Sequence, residues 1–215
     1  MATIFLIILG ALSAVYLVSL FFKKGIFQAI AKACLMPLIL AIYITGSSRL
    51  FIPIVLALFF CWLGDIFLIK IEDTRFFKLG LAGFLLGHIF YIPSLLHFAG
   101  GINIVVLLVS LPAGVILGIA LHYLIRPSHE MNILSIIYEV ILLLMVLSAA
   151  QLFAAQGAPF GTLVLAGGLC FIASDTVLAL FTFNSKPRYG DFLVMLTYIS
   201  AQLLIILGLI GCTSA

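Results

Sequence analysis

The sequence has 215 residues, of which 66% are hydrophobic and only 8% are charged, and its formal net charge at pH 7 is +3. Because a soluble domain carries roughly 25% charged residues, this composition excludes a soluble globular protein and predicts a chain surrounded mainly by lipid. The basic residues form no stripe outside the short loops, so nucleic acid is excluded as a partner.

Eight apolar segments are long enough to cross a bilayer, whose hydrocarbon core needs about 20 helical residues. In chain order they cover approximately residues 2–22, 27–45, 50–69, 76–98, 102–124, 132–153, 159–182 and 190–211. The first is interpreted as a retained helix because Lys23 and Lys24 follow it, whereas a signal peptide carries positive charge before its apolar core. The short connections predict one all-α transmembrane domain over residues 1–215, a bundle in which consecutive helices pack antiparallel.

The basic residues orient this predicted bundle. Loops one, three, five and seven, with the adjoining helix ends, hold Lys23, Lys24, Lys70, Arg75, Lys78, Arg126, Lys186 and Arg188. The other loops hold only Arg49, and Lys32 lies within helix two. The positive-inside rule therefore places the odd loops in the cytoplasm and both termini outside it. We expect a multi-pass protein of the cell membrane, the inner membrane in a bacterium.

The four cysteines lie far apart in apolar segments, at Cys34, Cys61, Cys170 and Cys212. No C-x-x-C pair or Cys/His ligand spacing occurs, and a single deep histidine cannot supply a three-histidine zinc centre. We therefore expect no disulfide framework, no metal and no other cofactor.

Ionisable residues inside the predicted helices are the first candidates for function, since a charge in hydrocarbon costs about 2.5–3.5 kcal/mol. They are Lys32, Asp65, His88, Glu139 and Asp175, with Asp191 at the entrance of helix eight. At about 1.5 Å per residue, the acidic and basic members lie roughly 6–11 Å from the cytoplasmic ends of their helices, and His88 lies near the midplane. This common depth predicts a polar cavity open to the cytoplasmic leaflet.

Two helices carry polar side chains at spacings that place them on one face. Helix eight has Asp191, Met195, Tyr198 and Gln202 at i, i+4, i+7 and i+11, and helix four has Phe84, His88 and Tyr91 at i, i+4 and i+7. On helix four, Pro93 follows and removes the hydrogen bond to the Ile89 carbonyl. The two stripes indicate candidate site faces.

Each candidate also has a structural interpretation. Lys32 can extend its side chain to the interface or form a purely structural ion pair with Asp65. Asp191 can cap helix eight. Glycines at helix contacts and histidines at helix ends also have ordinary packing and interfacial roles. These residues are Gly80, Gly83, Gly87, Gly114, Gly118, His97, His122 and His129.

The residues themselves favour acid–base chemistry. Two aspartates on different helices, in partly dry surroundings, would not ionise alike, so one can donate a proton while the other accepts one. The sequence has neither a G-x-S-x-G nucleophile elbow nor a phosphate-binding glycine loop. We therefore take Asp65 and Asp175 as the acid–base candidates.

An ordered set of motifs over nearly the whole chain resembles the YhhN-like family of membrane proteins, whose characterised members are lysoplasmalogenases. The matching positions are Lys32 with Pro37, Gly64–Leu68, Gly80–Phe84, Gly87–Ile92, Tyr138, Met145, Ser174–Ala179 and Tyr198–Gln202. The resemblance implies an eight-helix hydrolase that cleaves the vinyl ether bond of a lysophospholipid. The products would be a fatty aldehyde and a glycerophospho-base.

The resemblance also implies roles for single residues. Asp65 and Asp175 would be the catalytic pair, with no assignment of which is the acid. His88 is a third catalytic candidate. It is expected to position water or bind the glycerol, together with Tyr91, Tyr198 and Gln202. Lys32 would tune an aspartate or meet the phosphate. Independently of the resemblance, we expect Glu139 and Asp191 to be further substrate-binding residues. The partners would be the lysophospholipid and membrane lipid, with no preference for an oligomeric state.

Two other functions stay open at this point. Buried carboxylates and a deep histidine also suit a proton-coupled transporter or lipid carrier, and Pro37, Pro53, Pro93 and Pro112 suit helices that move. A structural or regulatory membrane protein would instead pair its acids without any cavity.

Overall fold

The computed structural model describes residues 1–22, 25–129, 131–184 and 189–214, with all their side chains except that of Ser214. Over these residues the chain is all-helical and forms eight α-helices. They are α1 (Ala2–Ser19), α2 (Ile26–Gly46), α3 (Ile52–Phe67), α4 (Thr74–Phe98), α5 (Ile104–Ile125), α6 (Asn132–Gln156), α7 (Phe160–Phe183) and α8 (Gly190–Ser214). A 3₁₀ turn, Leu68–Lys70, follows α3.

The eight predicted segments are confirmed as eight helices long and apolar enough to cross a membrane. The chain is therefore a multi-pass integral membrane protein. The orientation of the termini stays a prediction. The prediction rests on the basic residues, and four of them lie outside the described residues: Lys23, Lys24, Lys186 and Arg188.

Local sequence explains several helix ends. Asn103 caps α5, since its Oδ1 accepts hydrogen bonds from the backbone N–H of Val105 at 2.9 Å and Val106 at 3.3 Å. Asp73 acts similarly before α4, where its Oδ1 accepts the N–H of Arg75 at 2.9 Å. Helix α6 ends at Gly157, whose φ of 63° is disfavoured for a residue with a side chain.

The chain folds as two compact units, and the boundary between Ser94 and Leu95 falls inside α4. The first unit holds α1, α2, α3 and most of α4, together with the C-terminal end from Thr213. Its largest buried side chains lie on all four helices and include Leu9, Leu35, Met36, Ile39, Ile42, Tyr43, Ile54, Leu58 and Tyr91. The Ser48 hydroxyl donates to the carbonyl of Thr213, which explains why the chain end belongs to this unit.

In the first unit, α3 and α4 approach closely enough for backbone contact. A Cβ atom added to Gly83 would lie 2.8 Å from the Gly64 nitrogen and 2.9 Å from its Cα. One added to Gly87 would lie 2.5 Å from the Cys61 sulfur and 3.2 Å from the Ala57 carbonyl oxygen. These glycines therefore are packing positions, as their structural interpretation predicted.

Replacing Gly83 with alanine is expected to destabilise the protein by about 1–3 kcal/mol, because the new methyl group meets backbone that cannot rotate away. Thermal unfolding of the purified protein in detergent measures the effect. Gly10→Ala is the matched control, since an added Cβ there has no neighbour within 4 Å. The control is expected to be neutral or stabilising, because alanine is the better helix former. Equal melting temperatures for the two variants would contradict the expectation.

The second unit runs from Leu95 to Cys212 and contains the end of α4, all of α5 to α7, and α8 as far as Cys212. Helix α6 contacts both α5 and α7. Helix α7 also packs closely on α8, where a Cβ on Gly167 would lie 2.8 Å from the Ala201 carbonyl oxygen. The Gln151 side chain accepts from the Asn103 N–H at 2.9 Å and donates to its carbonyl at 3.3 Å, so it fastens the start of α5 to α6.

Candidate functional site

The first polar cluster lies within the first unit, where α2 and α3 bring Lys32 and Asp65 together. The Lys32 ammonium is 3.6 Å from Oδ1 of Asp65. The Lys32 side chain is 14% exposed and that of Asp65 is 2% exposed. Lys32 is therefore held beside the carboxylate, and the ion pair that the sequence offered as one interpretation is present. Asp65 directly follows Gly64, so the close contact between α3 and α4 fixes its backbone.

On α4 the predicted face is buried. Phe84, His88 and Tyr91 are 6%, 0% and 0% exposed, so the spacing of four and three residues correctly identified the side of α4 that turns away from solvent and lipid. His88 directly follows Gly87, whose backbone lies against Cys61 of α3. The histidine is thus carried by a rigid segment of the helix rather than by a loop.

The second cluster lies within the second unit, where α6 and α7 bring Tyr138 and Asp175 together. The Tyr138 hydroxyl donates a 2.6 Å hydrogen bond to Oδ2 of Asp175. Tyr138 is buried and Asp175 is half-buried. Next to Asp175, the buried Ser174 hydroxyl donates to the Val194 carbonyl of α8 at 3.1 Å. This hydrogen bond links the part of α7 that carries Asp175 to α8.

The stripe on α8 is also buried. Met195, Tyr198 and Gln202 are 5%, 3% and 0% exposed, while Asp191 in the first turn is half-buried. The Tyr198 ring packs edge-on against Phe171 of α7, with 5.7 Å between the ring centroids. The polar groups of Tyr198 and Gln202 are therefore held on an inward face of α8, as their spacing predicted.

Glu139 has a partner that sequence reasoning did not identify. Its Oε2 lies 3.2 Å from Nδ1 of His122 on α5, a residue that the sequence assigned to the membrane interface. The side chains of His122 and Glu139 are 29% and 16% exposed. Among the described residues, the other carboxylate oxygen, Oε1, is buried without a hydrogen-bond partner. His122 is therefore the hydrogen-bond partner of Glu139.

Tyr138 is the other functional candidate that the sequence does not reveal, because a tyrosine within a motif carries no sign of its partner. The available signal was its place one residue before Glu139 on the same helix. Over the part of the chain that the structure describes, no three His, Cys, Asp or Glu side chains cluster closely enough to hold a metal ion. The carboxylates described above lie instead beside a lysine, a phenol or an imidazole.

The two clusters offer different chemistry. In the first, a buried carboxylate beside an ammonium group provides an anion that can interact with a positive centre or accept a hydrogen bond. In the second, a phenol hydroxyl holds one oxygen of a carboxyl group. If that group gives up a proton, the hydrogen bond becomes charge-assisted and strengthens. Such an arrangement suits a proton donor.

Similarity to known proteins extends over most of the chain. The model of the YhhN family matches residues 27–209. The match begins in α2, ends in α8 and includes every candidate residue described above. No curated protein and no solved structure matches the chain.

Proposed function

The chain belongs to the YhhN family, and from this premise we propose that it is a membrane-embedded hydrolase of lysoplasmalogen-type lysophospholipids. The enzyme would cleave the vinyl ether bond and release a fatty aldehyde and a glycerophospho-base. One observation carries the proposal. Two carboxyl groups lie within the helices, and each has a chemically different partner. Asp65 has an ammonium neighbour, and Asp175 has a phenol neighbour.

A vinyl ether is hydrolysed by protonation of carbon. The proton adds to the alkenyl carbon that does not carry oxygen, and the other becomes an oxocarbenium ion. Water adds to that carbon and loses a proton, which gives a hemiacetal. The hemiacetal then collapses to the aldehyde and the free glycerol hydroxyl. The proton from water balances the one consumed, so the reaction uses one water molecule and no net proton.

We assign the proton donor to Asp175. In its protonated form this residue can carry the proton on Oδ1 while the Tyr138 hydroxyl holds Oδ2. As the proton leaves for carbon, negative charge develops on the carboxyl group and the bond from Tyr138 strengthens. Tyr138 therefore stabilises the transition state more than the ground state, which is the requirement for catalysis.

We assign the second carboxylate role to Asp65. Its ion pair with Lys32 supports an anion that would stabilise the developing oxocarbenium charge and accept the proton of the attacking water. The buried polar groups of His88, Tyr91, Tyr198 and Gln202 would position that water or bind the glycerol. The remaining substrate contacts are proposed for Lys32 and Asp191, and the alkenyl chain would lie along apolar helix surfaces.

Purified protein in detergent is expected to release aldehyde from a lysoplasmalogen but not from the lysophospholipid with a saturated alkyl ether. In D₂O, the aldehyde should carry one deuterium on the carbon next to the carbonyl, because protonation of carbon precedes water addition. Rapid reduction of the aldehyde to the alcohol preserves this label for mass spectrometry. A folded protein that releases no aldehyde would overturn the proposal, and aldehyde without the label would overturn the mechanism.

A further inference from the structure

Helices α5 and α6 contact each other through residues spaced four apart on each helix. The contacts pair Gly114 with Leu147, Gly118 with Leu143, and His122 with Glu139. The two glycine contacts are apolar and close, since an added Cβ would lie 3.5 Å from the first leucine and 2.6 Å from the second. The His122–Glu139 contact, one turn further along, is the polar member of this series.

On another side, α6 contacts α7. A Cβ on Gly168 would lie 3.3 Å from a methyl group of Val146, and further along the same pair of helices Tyr138 donates its hydrogen bond to Asp175. Tyr138 and Glu139 are consecutive, so their side chains leave the helix about 100° apart. Two polar contacts therefore hold α6 at the same level from two directions.

These polar contacts differ physically from the apolar ones along the same helix. Apolar contact is non-directional, so leucine against glycine permits a small rotation of α6 at little cost. The hydrogen bond between His122 and Glu139 specifies both distance and direction. Glu139 strengthens this constraint because its Oε1 is buried with no hydrogen-bond partner among the described residues. If a rotation of α6 broke the contact with His122, neither oxygen of the Glu139 carboxyl group would keep the hydrogen-bond partner described here.

We propose that His122 and Glu139 form a positioning pair that fixes the rotation of α6 and so keeps the Tyr138 hydroxyl on Oδ2 of Asp175. The inference rests on the proposed function, in which the Tyr138–Asp175 pair supplies the proton. It gives Glu139 this positioning role in place of the substrate contact that was expected from the sequence. Neither residue of the positioning pair needs to touch the substrate for this effect.

The test is a double-variant cycle with Glu139→Leu and Tyr138→Phe, measured as aldehyde release in detergent. Leucine suits the apolar surroundings and removes the contact with His122. Alone, Glu139→Leu is expected to lower kcat by about ten- to a hundredfold because the Tyr138 hydroxyl is misplaced, with KM nearly unchanged. In the Tyr138→Phe background it should cost nothing further, because the hydroxyl that it positions is already absent.

Gly118→Ala is the matched control, since it disturbs the same helix contact one turn away. It should lower thermal stability and change kcat by the same factor in both backgrounds. If Glu139→Leu also lowers kcat equally in both backgrounds, or raises KM alone, the inference is overturned. His122→Leu breaks the same contact from the α5 side. It replaces Glu139→Leu in the test if that variant is not produced as folded protein.

The cycle remains informative if the proposed function fails. Should the wild-type protein release no aldehyde, the melting temperatures of the same four proteins become the measurement. Non-additive changes for Glu139→Leu and Tyr138→Phe would support the positioning role independently of any reaction. Additive changes would overturn it.

Discussion

Asp65→Asn is expected to reduce kcat for aldehyde release by about 10²–10⁴-fold, the range typical of a lost acid–base group. Asparagine keeps the size of the side chain but removes the anion that would face the oxocarbenium ion and accept the proton from water. The variant also leaves the Lys32 ammonium, only 14% exposed, without its counter-charge. Steady-state kinetics on purified protein, together with a melting curve, measure both consequences.

The control for this loss is the double variant Asp65→Asn/Lys32→Met. It removes both charges and therefore the uncompensated cation, so the stability that the single variant loses through that cation should return. Activity should not return. A double variant that regains both stability and turnover would show that Asp65 only balances Lys32, which was the structural interpretation of this pair.

The helices could be predicted because the bilayer leaves few alternatives. An apolar chain must satisfy its backbone hydrogen bonds internally, and the membrane thickness sets the length of each helix. The observed bounds therefore follow the apolar segments closely, as with predicted residues 76–98 and observed Thr74–Phe98. Differences occur where local geometry decides the end, as at Gly157, whose backbone conformation ends α6 beyond the predicted residue 153.

The partners of the carboxylates were harder to predict than the carboxylates themselves. Asp65, Glu139 and Asp175 stand out in sequence because a charge in lipid is costly and rare. A tyrosine or a terminal histidine carries no such signal. Helices α5 and α6 are also apolar on nearly every side, so hydrophobic periodicity does not reveal which faces pack. The contacts of His122 and Tyr138 depend on how each helix is rotated about its own axis, and only the structure supplies that rotation.

Asp175→Asn is the second variant with a large expected effect, again about 10²–10⁴-fold in kcat, because an amide cannot give a proton to carbon. Tyr138→Phe should cost less, about 10–100-fold, the loss of one hydrogen bond that strengthens as charge develops. Both changes should leave KM nearly unaltered, since neither group is assigned to ground-state binding. The expected order is therefore wild type, then Tyr138→Phe, then Asp175→Asn.

The double variant Asp175→Asn/Tyr138→Phe distinguishes a shared step from two separate roles. If Tyr138 acts only by stabilising the carboxylate that Asp175 becomes, the double variant should be no slower than Asp175→Asn alone. Proton transfer to carbon also predicts that wild-type turnover is slower in D₂O than in H₂O. A double variant whose loss equals the product of the two single losses would separate Tyr138 from the proton donor, and full activity in Asp175→Asn would remove this residue from the mechanism.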